Sequence, residues 1–391
     1  MQKLFCARKR NFLAVSLCGT AAALTAWIGL RAAEKPRQPP VAVVRSTVDH
    51  ADRSKFVGAR TCIDCHRSEY VSWLKTAHHD NPTSRFEGTE NSIDTRYKTL
   101  VGNLDLCCTC HSVRPEERFG RRLVETGTSC ESCHGAAGGN HGWLNRHAVY
   151  GPKVAPLEEE TPYNFAARIR YCENAGMIRP ARQYAVAKTC FSCHIIGDAV
   201  LVDAGHKVRF DDFSLIPYLA GEVRHNFHLD QRRNSDTPTL DTLRRGLPLN
   251  QRRRLYLIIE QLARMEVALN YVVGLQHDDA VEQRLADELI GILDDAAAEL
   301  EEFTEVLLQE ADLNGDVLTE ERLEPLLAAL RESELFNSLD TPTRSAASQA
   351  AQIIAHLANQ FLAEHDGSRL GALDADFLND LGDPVGDALE P

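Results

Sequence analysis

Eight cysteines fall into four short patterns, each closed by a histidine: Cys62-Ile63-Asp64-Cys65-His66, Cys107-Cys108-Thr109-Cys110-His111, Cys130-Glu131-Ser132-Cys133-His134 and Cys190-Phe191-Ser192-Cys193-His194. On a helical turn, positions i, i+3 and i+4 share one face. Two thiols at that spacing can reach both vinyl groups on one edge of a haem, and the adjoining histidine then offers its imidazole to the iron as proximal ligand. Zinc sites and disulfide frameworks use paired cysteines but have no need of a histidine directly after each second one. A thioredoxin-like redox pair would normally occur once. The chemistry read from the spacing is therefore covalent haem c at four places. The attachment residues are Cys62, Cys65, Cys107, Cys110, Cys130, Cys133, Cys190 and Cys193, with proximal ligands His66, His111, His134 and His194.

The chain holds 12 cysteines and 15 histidines. Of the other cysteines, Cys6 and Cys18 lie in the N-terminal segment, Cys108 sits inside the second pattern, and Cys172 reads as a small buried side chain. The second axial position of each iron decides what it can do. Two histidines give a low-spin iron suited to electron transfer, whereas an open side can bind a small molecule. Distal candidates within the haem region are His78, His79, His141, His147, His206, His225 and His228; His50, His277, His356 and His365 lie outside it.

The elements around these residues follow from composition and periodicity. Residues 55–235 hold all four patterns, whose first cysteines are separated by 45, 23 and 60 residues. Gly, Pro and short polar breaks interrupt this stretch, and large apolar porphyrins would supply the core that its side chains lack. After about Leu249 the character changes. Apolar residues recur at helical spacing over 254–275 and 281–311, and further helices are expected at 319–332 and 341–364. The fold class is thus mainly α: an irregular haem-packed domain (55–235), then a helical C-terminal module (250–366) and a loose tail (367–391). Net charge is +6 over 1–50, +2 over 51–250 and −21 over 251–391. Nothing in that distribution offers the basic face that nucleic-acid binding requires.

At the N-terminus, Lys3, Arg8, Lys9 and Arg10 precede an uncharged run over 11–30. Such a segment (1–33) is a signal peptide or a membrane anchor, followed by a Pro-rich linker over 34–54. In the C-terminal region, Asp312-Leu313-Asn314-Gly315-Asp316 resembles the start of a calcium-binding EF-hand loop. Val317 stands at the sixth position and Leu323 at the twelfth, where that loop needs Gly and Glu, so an Asn-Gly turn is the preferred reading over calcium.

Three stretches carry a wider resemblance. The first runs from Gly58 through the Cys62 pattern to Tyr70, Trp73 and His78. The second runs from Gly127 through the Cys130 pattern and Gly135 to Trp143, Leu144 and His147. The third runs from Tyr184 through the Cys190 pattern to Gly205-His206 and Gly221-Glu222-Val223-Arg224-His225. Residues 57–230 resemble the tetrahaem cytochrome c-554 family and related multihaem c-type cytochromes. That resemblance implies three haems with two histidine ligands and one, at the second pattern (His111), with an open side. Carried over by position, the family's distal histidines match His78, His147 and His206, with no pairing to particular haems. His225, His141 and His79 are candidates for a fourth distal ligand.

The function expected is electron transfer by an exported, periplasmic or otherwise extracytoplasmic tetrahaem protein, with other redox proteins as partners and the N-terminal segment as a possible anchor to the inner membrane. The acidic C-terminal region would suit a basic partner. The alternative is a reductase of a small nitrogen compound, such as nitric oxide, at a five-coordinate haem, with Arg114, Glu116 and Glu117 as nearby proton donors.

Overall fold

The computed structural model describes residues 55–79, 110–113, 125–150, 159–209, 213–220, 247, 249–275, 280–309 and 341–378. The N-terminal segment and linker, Cys107, Cys108, His225, His228, the helix expected at 319–332 and the acidic loop at 312–316 lie outside these residues.

Helices dominate. They are α1 (Arg67–Trp73), α2 (Cys130–His134), α3 (Leu144–His147), α4 (Pro162–Asn174), α5 (Gln183–His194), α6 (Ala199–Asp203), α7 (Leu215–Ala220), α8 (Leu249–Gly274), α9 (Ala280–Gln309) and α10 (Thr341–Glu364). Strand among the described residues is limited to one antiparallel pair, β1 (Ser112–Val113) with β2 (Glu125–Thr126), plus an isolated bridge between Ile195 and Arg209.

The helices of the first half are short, and local chemistry sets their ends. Thr161 caps α4 by accepting the Asn164 N–H, with Pro162 at the first helical position. Asp198 caps α6 by accepting N–H groups from Val200 and Leu201. At the start of α2, Ser129 donates its N–H to Ser132 Oγ at 3.1 Å.

The second half is built on α8. Leu255, Tyr256, Ile258, Ile259, Leu262, Met265, Leu269 and Val272 are all essentially buried. They cover more than one face of the helix, because α5, α7, α9 and α10 all pack on it. In α9 the buried positions Leu285, Leu289, Ile292, Ala296, Leu300, Phe303 and Leu307 step by three and four. In α10 they are Ala347, Ala351, Ile354, Ala358 and Phe361. The small residues among these allow close approach to α8. The helices expected from periodicity at 254–275, 281–311 and 341–364 are therefore present as Leu249–Gly274, Ala280–Gln309 and Thr341–Glu364. One contact extends this core beyond the C-terminal helices. Tyr184, Ala187 and Phe191 of α5, which carries the fourth cysteine pattern, are buried in the same cluster as Leu255, Ile259 and Leu262.

Candidate functional site

Three of the cysteine patterns occupy tight turn or helical segments. The third is α2 itself, and the fourth is the last turn of α5. The first is a turn over Cys62–Cys65 between a 3-10 turn (Ala59–Thr61) and α1, with the His66 N–H donated to Cys62 O at 2.9 Å. Of the second, Cys110 and His111 are described and stand just before β1.

The histidines of different patterns meet across long sequence separations. His66 Nε2 and His147 Nε2 face each other at 3.4 Å, with ring planes only 16° from parallel. Two metal–imidazole bonds of about 2.0–2.1 Å each span about 4 Å. The pair is thus within about 0.7 Å of the separation that one metal ion between them requires. His78 lies beside His194, ring centroids 6.2 Å apart. His206 is close enough to His111 to disfavour its charged form.

The chain also leaves the right nitrogens available. His134 donates Nδ1–H to Ile178 O at 2.7 Å, and His206 does the same to Leu201 O at 3.2 Å. In both, a backbone carbonyl fixes the tautomer that keeps the Nε2 lone pair for a metal. On His66 the Nδ1 side is turned to Glu69, at 4.0 Å, which raises that imidazole's pKa against the opposing effect of burial. Burial pushes His147 down to about 4, helped by His66 and Arg168, and burial with nearby His78 pushes His194 down to about 4. Burial likewise lowers His134 and His111. Neutral imidazoles are the ligating form. His147 Nδ1 is buried without a hydrogen-bond partner among the described residues.

The cysteines converge in the same way. Cys110 hydrogen-bonds Cys193, lowering the Cys193 thiol, and Cys133 lies near both Cys190 and Cys193. Burial raises Cys133 to about 12 and Cys190 well above its ordinary value. The second, third and fourth patterns are neighbours by these contacts, and His66 close to His134 brings in the first.

Tryptophans brace the turns that bear His78 and His147. Trp73 Nε1–H donates to Thr128 O at 2.8 Å, and the Thr128 hydroxyl donates to Cys110 O at 2.7 Å. Thr128 N–H donates back to His78 O at 2.8 Å. A Cβ at Gly127, where φ is +88°, would lie 2.3 Å from that same carbonyl. This is the physical content of the Trp73–His78 spacing: the indole pins the turn bearing His78 to the segments leading out of the second pattern and into the third. Trp143 Nε1–H donates to Gly135 O at 3.2 Å, and its ring meets His147 edge-on. Cys172 is fully buried, with its Sγ 3.6 Å from Trp143 O, as its reading as a packing residue anticipates.

Two of the alternative distal residues sit elsewhere. His79 packs edge-on against Trp73, and His141 is exposed. Sequence reasoning missed Glu131, one of the two variable positions of the third pattern. Its carboxylate is fully buried and accepts N–H groups from Val57 at 3.0 Å, Gly58 at 2.8 Å and Ala137 at 2.8 Å. It also missed Tyr271 and Glu266 of α8, which contact α5. None of these three carries a local signal, because their partners are distant in sequence.

Comparison with known proteins adds one match. The family described as cytochrome c554 and c-prime matches residues 61–135, which span the first three patterns. The match over that segment supports a haem-based electron-transfer protein with covalently bound haem c. No curated protein and no solved structure matches the chain. No helix among the described residues is long and apolar enough to cross a membrane.

Proposed function

We propose that the chain is an exported tetrahaem c-type cytochrome that passes electrons between redox partners. The opposed imidazoles of His66 and His147 carry this reading. Two side chains 81 residues apart present Nε2 to Nε2, the nitrogens that ligate iron, at a separation close to that of two ligands on opposite sides of one metal ion. Cys62 and Cys65 would hold the first haem, with His66 and His147 on its two sides. Cys190 and Cys193 would hold the fourth, with His194 and His78. Cys107 and Cys110 would hold the second, with His111 and His206. Cys130, Cys133 and His134 would hold the third, for which His225 is the remaining distal candidate. Haem c supplies one-electron chemistry at iron, at a potential set by axial ligands, burial and nearby hydrogen bonds.

The protein's own residues do the rest. Ile178 O and Leu201 O orient His134 and His206, and Trp73 and Trp143 brace the turns that bear His78 and His147. The contacts among Cys110, Cys133, Cys190 and Cys193 favour closely spaced haems, the condition for transfer through the protein. Pairing His206 with His111 departs from the expectation that the second haem is the open one. Export rests on the basic flank and uncharged run at the N-terminus, and the surplus of acidic groups after residue 250 favours a basic redox partner.

The test is a carbon monoxide difference spectrum of the fully reduced protein, quantified against total haem c. A carrier with every iron capped binds none. Binding to about one haem in four would support the reductase of a small nitrogen compound instead.

A further inference from the structure

The fourth cysteine pattern is held from outside the haem-attachment region. α5 ends at His194, and Ile196 donates its N–H to Val208 O at 2.7 Å rather than continuing the helical ladder. A further turn would have satisfied the Ser192 carbonyl from residue 196. That carbonyl instead accepts the Tyr271 hydroxyl of α8 at 3.0 Å. The Tyr271 ring lies directly over Gly197, where a Cβ would sit 1.9 Å from the ring. Residue 197 must therefore lack a side chain for Tyr271 to take this seat.

Tyr271 also stands at the meeting point of two patterns. Cys110 and Cys193 both lie near its phenol, whose pKa is raised first by burial and then by these thiols and Asp198, so it remains a donor at neutral pH. Further along the same helix pair, Glu266 accepts the Tyr184 hydroxyl at 2.5 Å and Lys188 Nζ–H at 2.9 Å, all three side chains being buried. At the far end, Gln183 Nε2–H donates to Arg252 O at 3.2 Å. α8 thus grips α5 along its whole length, from residue 183 to residue 192.

We propose that Tyr271 is a positioning residue for the fourth haem: with Glu266, it fixes the turn bearing Cys193 and His194 and so sets the ligand orientation and potential of that haem. The C-terminal helices then belong to the electron-transfer apparatus through this contact. The inference rests on the tetrahaem reading above. Its physical basis is that groups beyond the ligands orient them and tune the metal.

The test uses the full-length protein carrying its haems. The wild type is first assayed for haem per chain, because a wild type without haem would sink the tetrahaem reading rather than this inference. Tyr271→Phe removes only the hydroxyl, Gly197→Ala displaces the ring, and Glu266→Gln keeps the side-chain shape while weakening the hold on Lys188. Each is examined by spectroelectrochemical titration and by electron paramagnetic resonance of the oxidised haems. Tyr271→Phe and Gly197→Ala are expected to keep the wild-type haem content, to shift the same one of the redox waves and to alter one low-spin signal. Glu266→Gln should move that wave in the same direction. Tyr163→Phe, on an exposed face of α4, should move none. Waves and signals unchanged in Tyr271→Phe and Gly197→Ala would overturn the proposal, as would an equal displacement of all waves, which would mark a general loosening. If either variant fails to accumulate, the remaining two decide by the same criterion.

Discussion

Glu131 accepts the Gly58 N–H at 2.8 Å across 73 residues of chain, joining the third cysteine pattern to the segment that leads into the first. The same carboxylate takes the Val57 and Ala137 N–H groups and is fully buried. Glu131→Ala would leave these amides without their acceptor inside the protein. A buried group stripped of its partner costs about 1–3 kcal/mol. The variant should unfold at lower denaturant concentration than wild type, with Glu131→Gln intermediate. Chemical denaturation followed by the Soret band measures this, and an unchanged midpoint would refute the role assigned to Glu131.

His147 faces His66, so its replacement should alter one haem only. A methionine ligand opposite histidine raises the potential relative to two histidines. His147→Met should therefore raise one wave in a redox titration. His147→Ala should open one iron and add carbon monoxide binding equal to one haem beyond the wild-type level. If His147→Ala leaves carbon monoxide binding at the wild-type level, His147 is not an axial ligand.

Glu260 of α8 has a second, pH-dependent role. Its buried carboxylate accepts the Leu215 N–H at 3.1 Å, at the start of α7. Burial raises it to about 8, a shift opposed by the Leu215 hydrogen bond and by Arg264, and reinforced by Glu299. The folded state therefore holds a proton that the unfolded chain, titrating near 4.5, releases. This contribution is fully present below the unfolded value and is lost as pH rises through the folded one. Stability should fall between about pH 4.5 and pH 8 on this group's account, and Glu260→Gln should flatten that slope. Denaturant midpoints of wild type and variant across that window provide the measurement; parallel profiles would contradict it.

Arg254 fastens the end of the described chain. Its guanidinium donates to both oxygens of Asp374, at 2.7 and 2.5 Å, and to Gly367 O at 3.0 Å. Gly367 has φ +81°, and a Cβ there would lie 2.3 Å from Gln251 O. Arg254→Lys cannot reproduce the two-pronged contact. Limited proteolysis should cut within 365–378 faster in both Arg254→Lys and Arg254→Ala than in wild type. Equal cleavage rates would show that the apolar contacts of Leu370 and Leu373 suffice by themselves.

The cysteine patterns and three C-terminal helices were legible in the sequence because they are local: a five-residue motif and a three-to-four-residue apolar period. The Trp73–His78 spacing was legible too, although its cause, the indole bond to Thr128 O, was not. The pairings were beyond the reach of sequence. His66 meets His147, and His78 meets His194, through folds of the chain that no local rule specifies. α8 illustrates the same limit. Glu260 and Glu266 are charged residues in an amphipathic helix, yet both are buried, one against the start of α7 and the other against Tyr184 and Lys188. Charged residues disclose burial only through their partners, and these partners lie 45 to 82 residues away.

The central claim is that all four cysteine patterns carry haem. Intact mass of the full-length protein, produced in a host able to attach haem c, tests it directly, with pyridine haemochrome quantification of the same sample. The account requires the mass of the chain plus four haems, and loss of one haem on Cys→Ala substitution at Cys65, Cys110, Cys133 or Cys193 in turn. A wild-type mass with fewer than four haems, or a substitution that leaves the count unchanged, would contradict it.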